Sequence, residues 1–257
     1  LDVDGSRFHG ETGFGAAPDD AERALCDAIP ATSISAAEFI VDAVRARPGE
    51  IKLLSFSPLI DVALAMLIEP RLPFLLDSLV LMGAAVFTAG NAQPLAEANF
   101  LHDAAAAQLV VRGFTSGSRL VVVPLDVTHR GPIGAETVAK ISRLGRAGAL
   151  FAAAWATYDS AYCQLNRMCG SSPLHGAMVI AYAVDPAMFT SQETVVLDVV
   201  VAPGTPAHGH SFVDERPARQ YGLASNAGRS ATLLLDVDSA RFSRKLVEGI
   251  AGIARAQ

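Results

Sequence analysis

Short apolar runs alternate along this chain with helix-length amphipathic stretches, and no other feature constrains the fold as much. The runs are Ile51–Phe56, Leu79–Met82, Arg119–Pro124, Thr194–Ala202 and Ala231–Asp236. Strands separated by helices pair in parallel, because a parallel crossover needs a dozen or more residues and a helix supplies them. The expected fold class is therefore α/β, an open and mostly parallel sheet flanked by helices, within a single domain over residues 1–257. Half of the 257 residues are hydrophobic, enough for one core of that kind.

The helix boundaries are written in local chemistry. Ser35 and Glu38 form a capping box, Phe39, Ile40, Ala43 and Val44 follow at helical spacing, and Pro48-Gly49 stops that helix. Ser57-Pro58-Leu59-Ile60-Asp61 opens a second helix, Val62–Ile68, which ends at Pro70. Asp103 is placed to cap the helix that follows it, and Ser239 to cap the last one. Residues 135–165 read as helices punctuated by Gly145 and Gly148, and a further helix runs from about His175 to Val184 before Asp185-Pro186. Residues 16–34, with Pro18 and Pro30, read as a surface connection. Residues 203–230 read as a loop whose His208 and His210 are solvent-exposed histidines rather than a metal pair.

Charge and cysteine usage exclude several function classes. The formal net charge is −6 without a basic cluster, which argues against nucleic acid as a partner. No apolar run reaches the length of a membrane span, and the start Leu-Asp-Val-Asp-Gly has neither the basic nor the apolar region of a signal peptide. Cys26, Cys163 and Cys169 lack metal-ligand spacing. Their odd number leads to the expectation of reduced thiols and a cytoplasmic setting. A dinucleotide site is not indicated, since no strand is followed by G-x-G-x-x-G.

The candidate site lies just past the second run. Leu79–Met82 ends at Gly83, and the next loop carries Asn91, Glu97 and Asn99. Ligands of open α/β sheets bind beyond the carboxyl ends of the strands. A carboxylate and two carboxamides there suit a polyhydroxylated ligand such as a sugar.

Met82-Gly83-Ala84, Gly90-Asn91, Ala96-Glu97-Ala98-Asn99 and His102-Asp103 resemble the "MGG…GN…AExN…DP" segment of the inosine–uridine nucleoside hydrolases. Three further segments extend the likeness: His9-Gly10-Glu11-Thr12-Gly13, Ser57–Asp61 (the family's "GPLTN") and Leu125-Asp126-Val127-Thr128 ("LDVT"). The resemblance implies hydrolysis of the N-glycosidic bond of purine or pyrimidine ribonucleosides, a small-molecule nucleoside as partner, and a homo-oligomer, dimer or tetramer. It implies Asn91, Glu97 and Asn99 as ribose ligands, Met82 as an active-site methionine, and His175 as the acid facing the leaving base. It places His9 near the base and lets Tyr158 or Tyr162 cover it.

By residue type alone His9 reads equally as an exposed loop histidine, and His175, a lone histidine at a helix start, more often as a structural or exposed residue. The stripe Trp155, Tyr158, Tyr162 likewise reads as core packing, and Asp126 as structural.

The family's cofactor is Ca2+, which takes six to eight oxygen ligands. The resemblance assigns Ile60 a backbone carbonyl on the metal. Two features depart from the pattern. Gly176 follows His175 where the family has a ligand Asp, and the family's acidic "DxDPGxDD" strand and turn has no counterpart. The unmatched part amounts to about 60 residues, two βαβ units. It leads to the expectation of a sheet lacking one strand, with edges needing cover. Two functions follow: ribonucleoside hydrolase, or non-catalytic nucleoside- or ribose-binding relative of the same fold.

Overall fold

The computed structural model describes residues 5–10, 32–214 and 228–256. Glu11–Gly13, Cys26 and most of residues 16–34, read above from the sequence, lie outside the described residues. The chain divides into two compact units, Ile34–Thr128 with His175–Val237, and Asp2–Ser33 with His129–Leu174 and Asp238–Gln257.

The first unit holds a five-stranded sheet whose strands, in spatial order, are β1 (Lys52–Ser55), β2 (Ser78–Met82), β3 (Leu120–Val123), β9 (Ala231–Asp236) and β6 (Ser191–Val195). The short strands β4 (Ile133–Gly134) and β5 (Ser171–Ser172) pair antiparallel in the second unit. In the five-stranded sheet β1, β2, β3 and β9 run parallel and β6 is antiparallel to β9, so the mostly parallel sheet expected from the alternation is present. Every residue of β2 and β3 is buried, as strands covered by helices on both faces must be. Leu79, Leu81, Leu120, Val122 and Leu233 join Phe100, Val110 and Phe114 in one core.

The helices begin where local chemistry directs. Ser35 Oγ accepts from the Glu38 amide at 3.2 Å, and Glu38 Oε2 accepts from the Ser35 amide at 2.8 Å, completing the capping box of the helix Ala36–Ala46. Its buried face is Ala37, Val41 and Val44, with Ile40 packed against the core; of the expected stripe only Phe39 departs, at 63% exposed. Asp103 Oδ1 accepts from the Ala106 amide at 2.8 Å and caps Ala104–Gly113 as expected.

Several boundaries differ from the sequence reading. Thr194–Ala202 is two strands, not one. At Val195 the chain pairs with Ala231 of β9, but β7 (Leu197–Val199) pairs antiparallel with β8 (Ser211–Val213). The chain changes partner at Val196, and β8 lies inside the stretch expected to be all loop. His208 and His210 are half-buried rather than exposed, and the His210 ring nitrogen Nδ1 meets the Leu95 carbonyl at 3.0 Å.

The second unit holds the long helix Gly145–Asn166, the helix Ala135–Ile141 and the final helix Ser239–Ala256. Gly148 lies within the long helix instead of breaking it. A Cβ there would strike the Ile141 carbonyl, so the glycine permits a close approach. The final helix is capped by Asp238, whose carboxylate accepts from the Arg241 amide at 2.9 Å, rather than by Ser239.

Cys163 and Cys169 are joined in a disulfide, which corrects the expectation of three reduced thiols. Arg167, in the left-handed region at φ 60°, turns the chain back after the helix and brings the two cysteines together. No helix among the described residues is long and apolar enough to cross a membrane.

Candidate active site

The chain leaves β2 through a turn whose every peptide is held from a different direction. A Cβ on Gly83 would collide with the Phe100 ring, so glycine is required for the approach. Ala84 follows at φ 78°, a conformation costing a non-glycine residue about 1–2 kcal/mol. Such strain persists only where the surroundings over-determine it, and here they do. The Ala84 amide donates to Glu97, and its carbonyl accepts from the Leu125 amide at 3.0 Å. Ser211 Oγ both accepts from the Ala85 amide (2.9 Å) and donates to the Ala85 carbonyl (3.0 Å). The Asp126 carboxylate then accepts from the amides of Val86 (3.0 Å) and Phe87 (2.6 Å). Asp126 is thus a structural brace.

The loop returns to the sheet at Glu97. This carboxylate caps the helix Ala98–His102 by accepting from the Asn99 amide at 2.9 Å and the Phe100 amide at 3.0 Å. Glu97 is 1% exposed. Burial pushes its pKa up to about 7, against the opposing pull of the Asn99, Phe100 and Ala84 amides. Those amides fill most of its acceptor capacity, so in this conformation it braces the loop from beneath.

The two carboxamides are oriented in opposite senses. Asn91 Oδ1 accepts from the Ala98 amide at 3.0 Å, which turns its Nδ2 away from the loop backbone. Asn99 Nδ2 donates to the carbonyls of Met82 (3.2 Å) and Phe56 (3.3 Å) and lies 3.2 Å from Met82 Sδ, which turns its Oδ1 away from the sheet. Met82, Asn91, Glu97 and Asn99 are therefore brought together at the carboxyl end of β2.

Phe56 links Asn99 to Gly176, the residue after His175. Its carbonyl holds Asn99, and its ring edge lies where a Cβ on Gly176 would be 3.4 Å away. His175 opens the helix His175–Val184, and its Nδ1 lies 2.7 Å from Thr128 Oγ1. Ile60 is the first residue of the helix Ile60–Ile68, so its carbonyl belongs to the first helical turn.

The remaining expected residues belong to the second unit. The His9 ring stacks on Tyr158 with centroids 5.6 Å apart and planes 21° apart. Partial burial holds the His9 pKa below its ordinary value. Tyr158 and Tyr162 are 5.1 Å apart, and Phe8 packs on both. Tyr162 is 1% exposed, and its hydroxyl meets His129 Nε2 at 3.3 Å. Burial first, and then Tyr162, push the Tyr158 phenol pKa well up.

The sequence pattern of the family described as "Inosine-uridine preferring nucleoside hydrolase" matches residues 2–244. The chain belongs to this family. A pyrimidine-specific ribonucleoside hydrolase, RihB, from Escherichia coli O17:K52:H18 is 34% identical over 214 residues, 81% of this chain and 63% of that protein. The chain thus spans less than two thirds of that relative's length. A purine-preferring ribonucleoside hydrolase from Gardnerella vaginalis superposes with a TM-score of 0.82 at 25% identity, covering 98% of this chain and 75% of the other. An inosine-uridine preferring nucleoside hydrolase from Bacillus anthracis shares the fold, with a TM-score of 0.68 at 18% identity over 86% of this chain and 66% of the other.

In this nucleoside hydrolase relative the described residues do not compose a calcium site. No group of three or more His, Cys, Asp or Glu side chains that could hold a metal converges among them. The carboxylates nearest the loop, Glu97 and Asp126, are spent on backbone amides. The position after His175 meets an aromatic ring rather than a carboxylate.

Sequence reasoning missed Ser211, Phe56 and Thr128. Ser211 is 126 residues from the turn it holds, and Phe56 acts through a backbone carbonyl that no side-chain motif encodes. Thr128 lay within the "LDVT" match, where the residue types carry no sign of its partner.

Proposed function

We propose that this chain hydrolyses the N-glycosidic bond of ribonucleosides, with pyrimidine ribonucleosides as preferred substrates. One observation carries the reading: Phe56 joins the Asn99 carboxamide of the β2 loop to the helix that begins with His175. A sugar-binding surface and a proton donor then share one wall.

Ribose hydroxyls both donate and accept. Asn99 Oδ1 serves as the acceptor and Asn91 Nδ2 as the donor, each fixed by the bonds its other amide atom makes. Fixed partners lose little freedom on binding, so their interactions can be spent on the strained, oxocarbenium-like ribosyl group. Met82 closes the floor beside Asn99. His175 gives a proton to the departing base, the role for which an imidazole is suited near neutral pH. The preference for pyrimidines follows the RihB relatives at 34% identity. The described residues do not fit the calcium ion that the resemblance implies.

A second reading, a ribose-binding relative without catalysis, is favoured by the Phe56 ring over Gly176, where the family has a carboxylate. One assay separates the two. Ribose release from uridine, cytidine and inosine is measured by a reducing-sugar method, with and without added calcium. The hydrolase reading expects release from uridine and cytidine to exceed release from inosine. Binding of uridine without release of ribose in any condition supports the second reading and overturns the first.

A further inference from the structure

Thr128 is fully buried at the end of the short helix Leu125–Thr128, which follows β3 through Pro124. Its amide donates to the Pro124 carbonyl at 3.1 Å, so its backbone is fixed to the end of a central strand. A threonine has a stiff χ1, and the hydroxyl inherits that rigidity. Two groups lie within reach of Oγ1, the Leu125 carbonyl at 3.5 Å and His175 Nδ1 at 2.7 Å.

A hydroxyl has one proton to give and two lone pairs to receive with. The carbonyl can only accept. If the hydroxyl proton goes to Leu125, the lone pair facing His175 accepts from an Nδ1–H. That arrangement survives both protonation states of the imidazole, because Nδ1 carries a proton in each. The reverse arrangement, with the hydroxyl donating to Nδ1, must break whenever the ring becomes an imidazolium. A histidine that gives and regains a proton is served by the first.

We propose that Thr128 is a positioning residue for His175: its hydroxyl accepts from Nδ1–H, fixes the tautomer and ring orientation, and assigns the exchanging proton to Nε2. The proposal rests on the reading of His175 as the proton donor to the leaving base. The "LDVT" segment then has two separate tasks, since Asp126 braces the loop and Thr128 orients the acid.

The test compares the full chain with Thr128→Val, which keeps the shape and removes the hydroxyl, and Thr128→Ser, which keeps the hydroxyl. The first readout is the ring-nitrogen NMR spectrum of His175, assigned by its disappearance in His175→Ala. The second is kcat and KM for uridine. The wild type and Thr128→Ser are expected to hold the Nδ1–H tautomer at high pH, and Thr128→Val to shift toward Nε2–H. Loss of one such bond should lower kcat about tenfold with KM within about twofold, and serine should restore most of it. An unchanged tautomer and kcat in Thr128→Val would overturn the proposal, as would equal losses in the valine and serine variants. The nitrogen spectrum needs no turnover, so the two claims fail separately. A wild type that releases no ribose, yet whose tautomer shifts in Thr128→Val, overturns the hydrolase reading and supports the positioning contact.

Discussion

Asp126 and Phe87 stand 39 residues apart in sequence, yet the carboxylate of one accepts from the backbone amide of the other at 2.6 Å. With the Val86 bond, this fixes the outgoing arm of the loop that carries Asn91 and Asn99. Asp126→Ala should cost about 2–3 kcal/mol, the worth of losing two amide bonds to a charged, largely buried acceptor. Urea denaturation measures the cost. If uridine is turned over, KM should rise more than kcat falls, because the loop positions the sugar. A variant as stable as the wild type would show that other contacts hold the arm.

Ala84 occupies a conformation that glycine adopts freely. Ala84→Gly removes the strain but makes the unfolded chain more flexible, and the two effects oppose one another. Strain is the larger, so the variant should be more stable by about 0.5–1 kcal/mol. A higher denaturation midpoint at unchanged slope is the expected result; a lower one would place the strain elsewhere.

Glu97 makes stability depend on pH in an unusual direction for a carboxylate. Burial raises its folded pKa to about 7 from an ordinary value of 4.5. Below pH 4.5 both states are protonated and its contribution is fully present. Between pH 4.5 and 7 the unfolded state has released its proton while the folded state keeps it, so this contribution to stability falls as pH rises. The total is on the order of 3 kcal/mol. Glu97→Gln cannot titrate, so its stability curve should be flatter across that window. Identical slopes in the two proteins would mean that Glu97 is ionised in the fold across the whole range.

The Cys163–Cys169 disulfide closes a short loop at the end of the helix carrying Tyr158 and Tyr162. Asp159 reinforces the same turn, accepting from the Gly170 amide at 3.0 Å and from Ser172 Oγ at 2.5 Å. Closing so short a loop stabilises by about 2 kcal/mol in the chain-entropy account. Thiol titration in denaturant should find one thiol before reduction and three after it, since the chain has three cysteines. Denaturation with and without a dithiol reductant should differ by that energy.

The parts of this fold that were legible in the sequence are those that short-range chemistry decides. The capping box at Ser35 and Glu38 and the Asp103 cap each involve residues three apart. Ala231–Asp236 read correctly because its apolar run and its strand coincide. The loop residues Asn91, Glu97 and Asn99 were found because their spacing is a family pattern. What stayed hidden depends on partners far along the chain. Ser211 holds Ala85 across 126 residues, and Thr128 meets His175 across 47. The break at Val196 arises because the next residues pair with Ser211–Val213 instead of β9, and periodicity does not record a change of partner. The disulfide is not legible in an odd cysteine count, which requires only that one cysteine be left over.

The most direct test of the central claim is uridine hydrolysis by the purified chain, wild type beside Asn99→Ala. The account predicts ribose release by the wild type and a fall of at least about tenfold in kcat/KM for the variant, the loss expected when an oriented polar contact to the ribosyl group is removed. Equal turnover by the two proteins would contradict the placement of the sugar at the β2 loop. No turnover by the wild type, at any calcium concentration, would contradict the hydrolase assignment itself.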